Sequence, residues 1–220
     1  MQELDVKIPR DVNLVARFFE RVRTLGAASG RRHVALWVLV CGLTATGTGP
    51  GAGEDGFVRL MNTGEYVLLV RHADAPGTGD PPGFRLGDCA TQRNLSDEGR
   101  AQASSMGAWL RSNGMDRARL YSSEWCRCRE TAELMGLGPV EGLPALNSFY
   151  QRVEDREPNL AALKKFLGAQ SPQEEPLILV THQVTISALT GEFVGSGQGV
   201  LAKLNASGEL TPVRAVNFGQ

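Results

Sequence analysis

The sequence predicts an α/β fold with a mostly parallel central sheet that is covered by helices on both faces. Strand-like and helix-like segments alternate from Glu65 onward, which is typical of this class. The strand-like segments are continuous apolar runs, such as residues 66–70 (YVLLV) and 177–180 (LILV). Parallel strands that are buried on both faces require such runs. At 220 residues, the chain is long enough for one sizeable core.

The elements follow in order from capping residues and apolar spacing. After the strand at 66–70, a helix begins at Ser96, because a serine side chain can accept a hydrogen bond from a free N–H of the first turn. Asp97 and Glu98 favour the positive end of that helix, which ends near Gly114. The remaining predicted elements are a strand at 119–121, a helix at 126–135, a helix opened by Pro158, a strand at 177–180, a helix at 184–189, and a hairpin of 199–204 and 210–213.

The N-terminal part of the chain has a different pattern. Residues 31–33 (RRH) precede a short apolar run at residues 34–43, and a stretch of small residues follows. This is the layout of a secretory signal, since a membrane span needs roughly 20 apolar residues. We therefore predict a lead with a signal or anchor segment and a linker over residues 1–56, and a globular domain over residues 57–220. The protein is expected to be periplasmic or secreted, and associated with a membrane through residues 34–43 if that segment is not cleaved.

The four cysteines leave several arrangements open. Cys41 lies in the apolar run, where it could carry a lipid, unless that run is instead a buried core strand. Among Cys89, Cys126 and Cys128, a disulfide from Cys89 to either of the other two fits an oxidising compartment. The alternatives are three buried thiols or a structural metal site, although tetrahedral zinc normally takes four ligands at wider spacing.

Composition argues against a nucleic-acid partner. The formal net charge is −1, so no basic surface is indicated, and aromatic residues make up only 6% of the chain. Apolar runs recur along the whole length, so the 26 glycines and 11 prolines indicate many turns and not disorder.

Two of the three histidines lie just past predicted buried strands. His72 comes after the first strand with only Arg71 between, and His182 comes after the run LILV with only Thr181 between. Ligands of open α/β sheets bind at the carboxyl ends of the strands. A single histidine at a strand end is commonly a hydrogen-bonded structural residue, but two such placements predict a shared site.

A third segment indicates an anion. Residues 121–127 (YSSEWCR) lead from a short strand into a helix and place Arg127 in its first turn. A helix N-terminus and a guanidinium group together favour phosphate. A neutral imidazole can then attack phosphorus and form a phosphohistidine, while nearby arginines keep it uncharged and a backbone carbonyl orients its other nitrogen. The alternative for Arg127 is an exposed arginine on an amphipathic helix.

Four motifs, in order, resemble the histidine phosphatase superfamily, which has the phosphoglycerate mutase-like fold. The family's Arg-His-Gly is matched by Arg71-His72-Ala73, and its Leu-Thr/Ser-x-x-Gly-x-x-Gln-Ala by residues 95–103 (LSDEGRAQA). Its Ser-Ser-x-x-x-Arg-x-x-x-Thr-Ala is matched by residues 122–132, and its strand followed by Thr/Ser-His by residues 179–182 (LVTH). The resemblance covers residues 66 to about 204.

The resemblance implies a three-layer α/β/α sandwich and a phosphate site that uses no metal ion and no organic cofactor. His72 is implied as the phosphorylated nucleophile, with Arg71, Arg127 and His182 completing the pocket, and the expected partner is a small phosphorylated substrate. The predicted function is a phosphatase that hydrolyses a phosphomonoester or related phosphate through a phosphohistidine intermediate. The alternatives are a phosphomutase-like enzyme and a non-catalytic protein that binds phosphate or a sugar phosphate.

The sequence departs from the family at the general acid. Ser148 stands where mutase-like members carry glutamate, and Gln183 follows the second histidine where the other large branch has aspartate. Asp74, two residues after the nucleophile, is the candidate acid. Ala73 replaces glycine, which its small methyl group allows if the backbone angles are ordinary. Further acidic residues in a predicted loop are Glu154, Asp155 and Glu157.

A loop rich in Gly and Pro, residues 76–89, is expected to wall the pocket. Arg93 and Asn94, directly before the second motif, are candidate substrate-binding residues, and so is Thr181. Arg85 could add a contact. The alternative is a polar loop face that binds nothing.

Overall fold

The computed structural model describes residues 55–170 and 175–219. Its helices are α1 (Asp55–Met61), α2 (Asp97–Ser112), α3 (Cys126–Met135), α4 (Arg156–Gly168) and α5 (Gln183–Thr190). Its strands are β1 (Tyr66–Arg71), β2 (Arg119–Ser122), β3 (Val140–Gly142), β4 (Leu177–Thr181), β5 (Gly199–Leu204) and β6 (Leu210–Val216). Short 3₁₀ helices span Cys89–Thr91, Pro144–Leu146 and Val153–Asp155.

The apolar run at 34–43, and with it the predicted signal or anchor segment and Cys41, lies outside the described residues. Within the two described ranges, no helix is both long enough and apolar enough to cross a bilayer. The division of the chain into a lead over 1–56 and a domain over 57–220 therefore stays a prediction.

The six strands of the described residues form one sheet in the order β3-β2-β4-β1-β5-β6. β1 to β4 pair in parallel, whereas β5 and β6 form an antiparallel hairpin that pairs along the free edge of β1. The sheet is thus mostly parallel, as predicted. The register of β1 on β4 sets Arg71 beside Thr181. The residue after each, His72 and His182, therefore leaves the sheet next to the other.

Helices cover both faces of this sheet, because the side chains of each strand alternate between two cores. Leu68, Val70 and Ile178 face a core shared with α1, α2 and α3. Val67 and Leu179 face a second core shared with α4 and α5. The predicted α/β/α sandwich is confirmed. The largest fully buried side chains include Phe57, Met61, Leu69, Met106, Leu110 and Leu163.

The predicted helix boundaries agree with the structure where a capping residue marks them. Ser96 accepts a hydrogen bond from the N–H of Gly99 at 3.0 Å, so it caps α2 as expected. Gly99 itself lies against the backbone of Asp74, where an added Cβ would stand 2.0 Å from the carbonyl oxygen. Helix α1 and strand β3 were not predicted. β3 has three residues at a sheet edge and is mostly exposed, so it carries no apolar run.

Cys89 and Cys126 form a disulfide, which is one of the arrangements left open by the sequence. The bond joins the 3₁₀ helix at Cys89–Thr91 to the first residue of α3. Cys128, two residues further along α3, is a buried free thiol. Among the residues that the structure describes, no group of three or more side chains could hold a metal ion.

Candidate active site

The two histidines that follow β1 and β4 lie together at the carboxyl ends of these strands. The backbone N–H of His72 donates to the carbonyl oxygen of Thr181 at 3.0 Å, which continues the parallel ladder past the strand ends. The imidazole centroids are 5.5 Å apart, and the rings meet at 69°. Both side chains are almost fully buried. Two histidines that are 110 residues apart in sequence therefore lie side by side, as the predicted shared site requires.

His72 is held as a neutral imidazole with one nitrogen free. Its Nδ1 lies 2.8 Å from the carbonyl oxygen of Ala73, and since a carbonyl only accepts, Nδ1 carries the proton and Nε2 the lone pair. Burial first, and then the cation of Arg127, lower the pKa of His72 to about 3, against the opposing effect of the Ala73 bond. Ala73 has no left-handed backbone angle, so replacing the family's glycine introduces no strain here.

His182 is fixed by neighbours from α3 and from the turn before it. Its Nε2 lies 2.9 Å from the Ser123 hydroxyl, and the thiol of Cys128 is 3.5 Å away. The ring meets the Trp125 ring edge-on, at 5.2 Å between centroids. Burial and then the charge of Arg127 lower the pKa of His182 well below its ordinary value. Both imidazoles are therefore uncharged at neutral pH.

Three arginines surround these rings. Arg71 donates to the carbonyl oxygen of Val194 at 3.0 Å, and Arg93 donates to the carbonyl oxygens of Ala75 and Gly79. Arg127, in the first turn of α3, is buried. The Nε donors of Arg71 and Arg127 are buried and have no hydrogen-bond partner within the described residues. Unsatisfied guanidinium donors at one site favour an incoming anion.

Asp80, in the Gly- and Pro-rich loop, is the functional residue that sequence reasoning missed. Its carboxylate accepts hydrogen bonds from both terminal nitrogens of Arg127, at 2.8 and 3.1 Å, and from the indole N–H of Trp125 at 3.0 Å. The backbone N–H of Arg93 also donates to it. Burial acts to raise the pKa of Asp80, but these bonds, the Arg127 pair foremost, bring it below its usual value. A lone acid between glycines and prolines gave no sequence signal, since acids in loops are usually solvated.

These groups line a cavity of about 300 Å³. The loop predicted to wall it does so through residues 77–80 and Phe84. Ser148 and Gln183, the two positions at which the sequence lacks the expected acid, also line it. Aromatic side chains form much of the remaining wall, namely Trp125, Tyr150 and Phe193.

The structure brings Arg71, His72, Arg93, Arg127 and His182 together around the cavity, and it places the other predicted site residues elsewhere. Thr181 is buried in β4, where its hydroxyl donates to the carbonyl oxygen of Leu146. Asn94 donates to the carbonyl oxygens of Cys89 and Gln92 and stabilises the loop. Asp74 accepts from the Ser96 hydroxyl at the start of α2. None of these three lines the cavity, and neither do Arg85, Glu154, Asp155 or Glu157.

The arrangement suits in-line attack on a tetrahedral anion. One neutral imidazole has a free nitrogen, a second neutral ring stands beside it, and the guanidinium-bearing residues Arg71, Arg93 and Arg127 line the same cavity. No cavity-lining residue other than Asp80 carries a carboxyl group, within the part of the chain that the structure describes.

The chain is similar to several solved structures. A protein histidine phosphatase, SixA, solved with tungstate, is 21% identical, with 70% of this chain and 97% of that chain covered and a TM-score of 0.48. An open reading frame of Mycobacterium tuberculosis is 17% identical, with coverage of 71% and 99% and a TM-score of 0.49. A mycobacterial hydrolase is 14% identical, with coverage of 69% and 96% and a TM-score of 0.50.

A comparison with curated proteins finds no match. A model of the histidine phosphatase superfamily (branch 1) matches residues 67–157, which hold the first three motifs. His182 lies beyond the matched residues, but the pairing of β1 with β4 places it beside His72, which is one of them. The resemblance drawn from the motifs is therefore confirmed: residues 67–157 carry the pattern of the histidine phosphatase superfamily, branch 1.

Proposed function

We propose that this protein is a phosphatase that hydrolyses a phosphomonoester or related phosphate through a phosphohistidine intermediate on His72. The observation that carries the proposal is the state of His72: a buried, neutral imidazole whose Nδ1 is fixed by the Ala73 carbonyl, so that the Nε2 lone pair is free. The family match supports phosphoryl chemistry in general, since the superfamily contains phosphatases and mutases.

In the first step, the Nε2 lone pair of His72 attacks phosphorus, an N–P bond forms, and the P–O bond to the leaving group breaks. The leaving oxygen keeps the electron pair and is protonated. In the second step, water attacks phosphorus, the N–P bond breaks, and inorganic phosphate leaves. His72 recovers its lone pair, and the proton lost by water passes to phosphate or solvent.

The charge of the site matches a phosphate dianion. Arg71, Arg93 and Arg127 carry three positive charges, both imidazoles are neutral, and Asp80 offsets one charge. Arg152 also lines the cavity, but its guanidinium pairs with Asp155 at 2.9 Å. Two positive charges remain, and fixed donors of this kind stabilise the oxygens of a transferring phosphoryl group without reorganising.

Trapping of phosphate on the protein tests this function. Acid-labile, base-stable label should appear on wild-type protein quenched during turnover of p-nitrophenyl phosphate, and His72→Ala should lose both label and turnover. Turnover that persists in His72→Ala would overturn the phosphohistidine route. Label that transfers to an added phosphate ester and not to water would identify a mutase. Phosphate binding without label or turnover at any pH would indicate a non-catalytic phosphate-binding protein.

We also propose that the protein works in an oxidising compartment outside the cytoplasm. The Cys89–Cys126 disulfide supports this location, because such bonds persist where thiols are not kept reduced. N-terminal sequencing of the mature protein, with thiol counting before and after reduction, tests it. An uncleaved, fully reduced protein in the cytosolic fraction would contradict it.

A further inference from the structure

The mouth of the cavity carries aromatic side chains that are open to solvent. Tyr150 is 56% exposed and Phe193 is 80% exposed, and both line the cavity. Phe193 follows the end of α5, whereas Tyr150 lies in the loop before α4, so two separate segments bring these rings to one opening. Scattered exposed apolar residues need no explanation, but two large exposed rings that line one charged cavity favour contact with an apolar ligand.

The aromatic surface continues to the reactive end of the cavity. Trp125 lies 5.6 Å from Phe84 and 5.2 Å from the His182 ring, measured between centroids. Its indole N–H is held by Asp80, so the ring cannot rotate without losing that bond. The cavity therefore combines a cationic end with a fixed aromatic wall and an aromatic mouth.

Within the described residues, no carboxyl group that lines the cavity is free to protonate a leaving group. Asp80 is the single carboxyl residue among the described residues that line the cavity, and both of its oxygens accept from Arg127. These bonds hold it ionised, as its lowered pKa also indicates, and an ionised carboxylate cannot donate a proton. A leaving group must then depart as an anion. Phenols, with a pKa of about 10, leave in this way far more readily than alcohols, which are much weaker acids.

We propose, on the basis of the phosphatase function above, that the substrates are aryl phosphates, in which phosphate esterifies a phenolic oxygen. The phosphate meets the arginines, and the aryl ring lies along Trp125 towards Tyr150 and Phe193. His72 Nε2 forms the bond to phosphorus, the P–O bond to the ring breaks, and the phenoxide leaves with the electron pair and takes its proton from solvent. The ring can belong to a small phenol or to a phosphotyrosyl side chain, which share this chemistry.

The test compares 1-naphthyl phosphate with acetyl phosphate, a small substrate whose leaving group also departs without protonation. Wild-type protein should have the higher kcat/KM for 1-naphthyl phosphate, and the difference should lie mainly in KM. In Phe193→Ala and Tyr150→Ala, the ratio of the two kcat/KM values should fall about threefold to tenfold, which is the range for loss of one aromatic contact. Val213→Ala is the matched control, since Val213 is 49% exposed on β6 and lies outside the cavity. It should leave the ratio unchanged.

The outcomes separate this inference from the function on which it rests. Turnover of acetyl phosphate with no preference for the naphthyl ester, or a ratio unchanged in both aromatic variants, overturns the aryl assignment and leaves the phosphatase intact. No turnover of either substrate and no label on His72 overturns the phosphatase function itself. A parallel assay with free phosphotyrosine and a phosphotyrosyl peptide identifies whether the aryl ring belongs to a small molecule or to a protein. A higher kcat/KM for the peptide supports a protein substrate, and equal values support a small phenol.

Discussion

Replacing Asp80 by asparagine tests the buried charge network of the site. The carboxylate accepts two hydrogen bonds from Arg127 and one from Trp125, and the side chains of Arg127 and Asp80 are 3% and 2% exposed. Asparagine keeps the shape but removes the charge, which leaves Arg127 as a buried cation without its counter-ion. Breaking a buried pair in this way costs about 3–5 kcal/mol of the free energy of unfolding.

In a domain of this size, 1 kcal/mol corresponds to roughly 2–4 °C in Tm, so Asp80→Asn should lower Tm by about 6–20 °C in a thermal melt followed by circular dichroism. Asp88→Asn is the matched control from the same loop. Asp88 pairs with Arg85 at 2.5 Å, but these side chains are 39% and 69% exposed. A surface pair contributes about 1 kcal/mol at most, so the control should lose no more than about 4 °C.

Melting in the presence of inorganic phosphate tests the same charge network a second time. A bound dianion supplies the counter-ion that Asp80→Asn removes, so phosphate should raise the Tm of this variant by more than it raises that of wild-type protein. Equal melting temperatures for the Asp80 and Asp88 variants would refute the reasoning. So would a phosphate effect that is smaller in Asp80→Asn than in wild type, because Arg127 would then not depend on a negative partner.

Two further predictions follow from the disulfide and from the histidines. Cys89→Ser, or reduction of wild-type protein, should lower the free energy of unfolding by about 2–4 kcal/mol in urea, because Cys89 and Cys126 close a loop across a sequence separation of 37 residues; an unchanged urea midpoint would contradict this. The free energy of unfolding should also fall as the pH drops from about 6.5 to 5, because the unfolded chain protonates His72 and His182 while the folded protein keeps them neutral. Each histidine should lower it by about 1.4 kcal/mol per pH unit. His72→Asn should roughly halve that slope in urea titrations, and an unaltered slope would show that His72 is not buried neutral.

The central elements could be predicted because their signals are local. The run at residues 66–70 and the run at 177–180 need no partner to identify them, and Ser96 marks the start of α2 by its own side chain. The pairing of the two histidines also followed from the sequence, because each comes two residues after the end of a run that a parallel sheet must bury. β3 was not predicted because its three mostly exposed residues at the sheet edge show no apolar periodicity.

The loop that completes the site could not be predicted, because its contacts are distant in sequence and polar. Asp80 meets Arg127 across 47 residues and Gln151 across 71, and neither separation leaves a pattern in the intervening residues. Asp74 was the candidate acid because it is close to His72 in sequence. In the structure, the turn after β1 instead places its carboxylate against the Ser96 hydroxyl. Proximity along the chain is a poor guide to a proton donor when the chain leaves the sheet at that point. Asp80 does not take the role of the acid either, because its carboxylate is buried and bound to Arg127, whereas a general acid must be free to protonate the leaving group. The site instead favours a substrate whose leaving group does not need a proton.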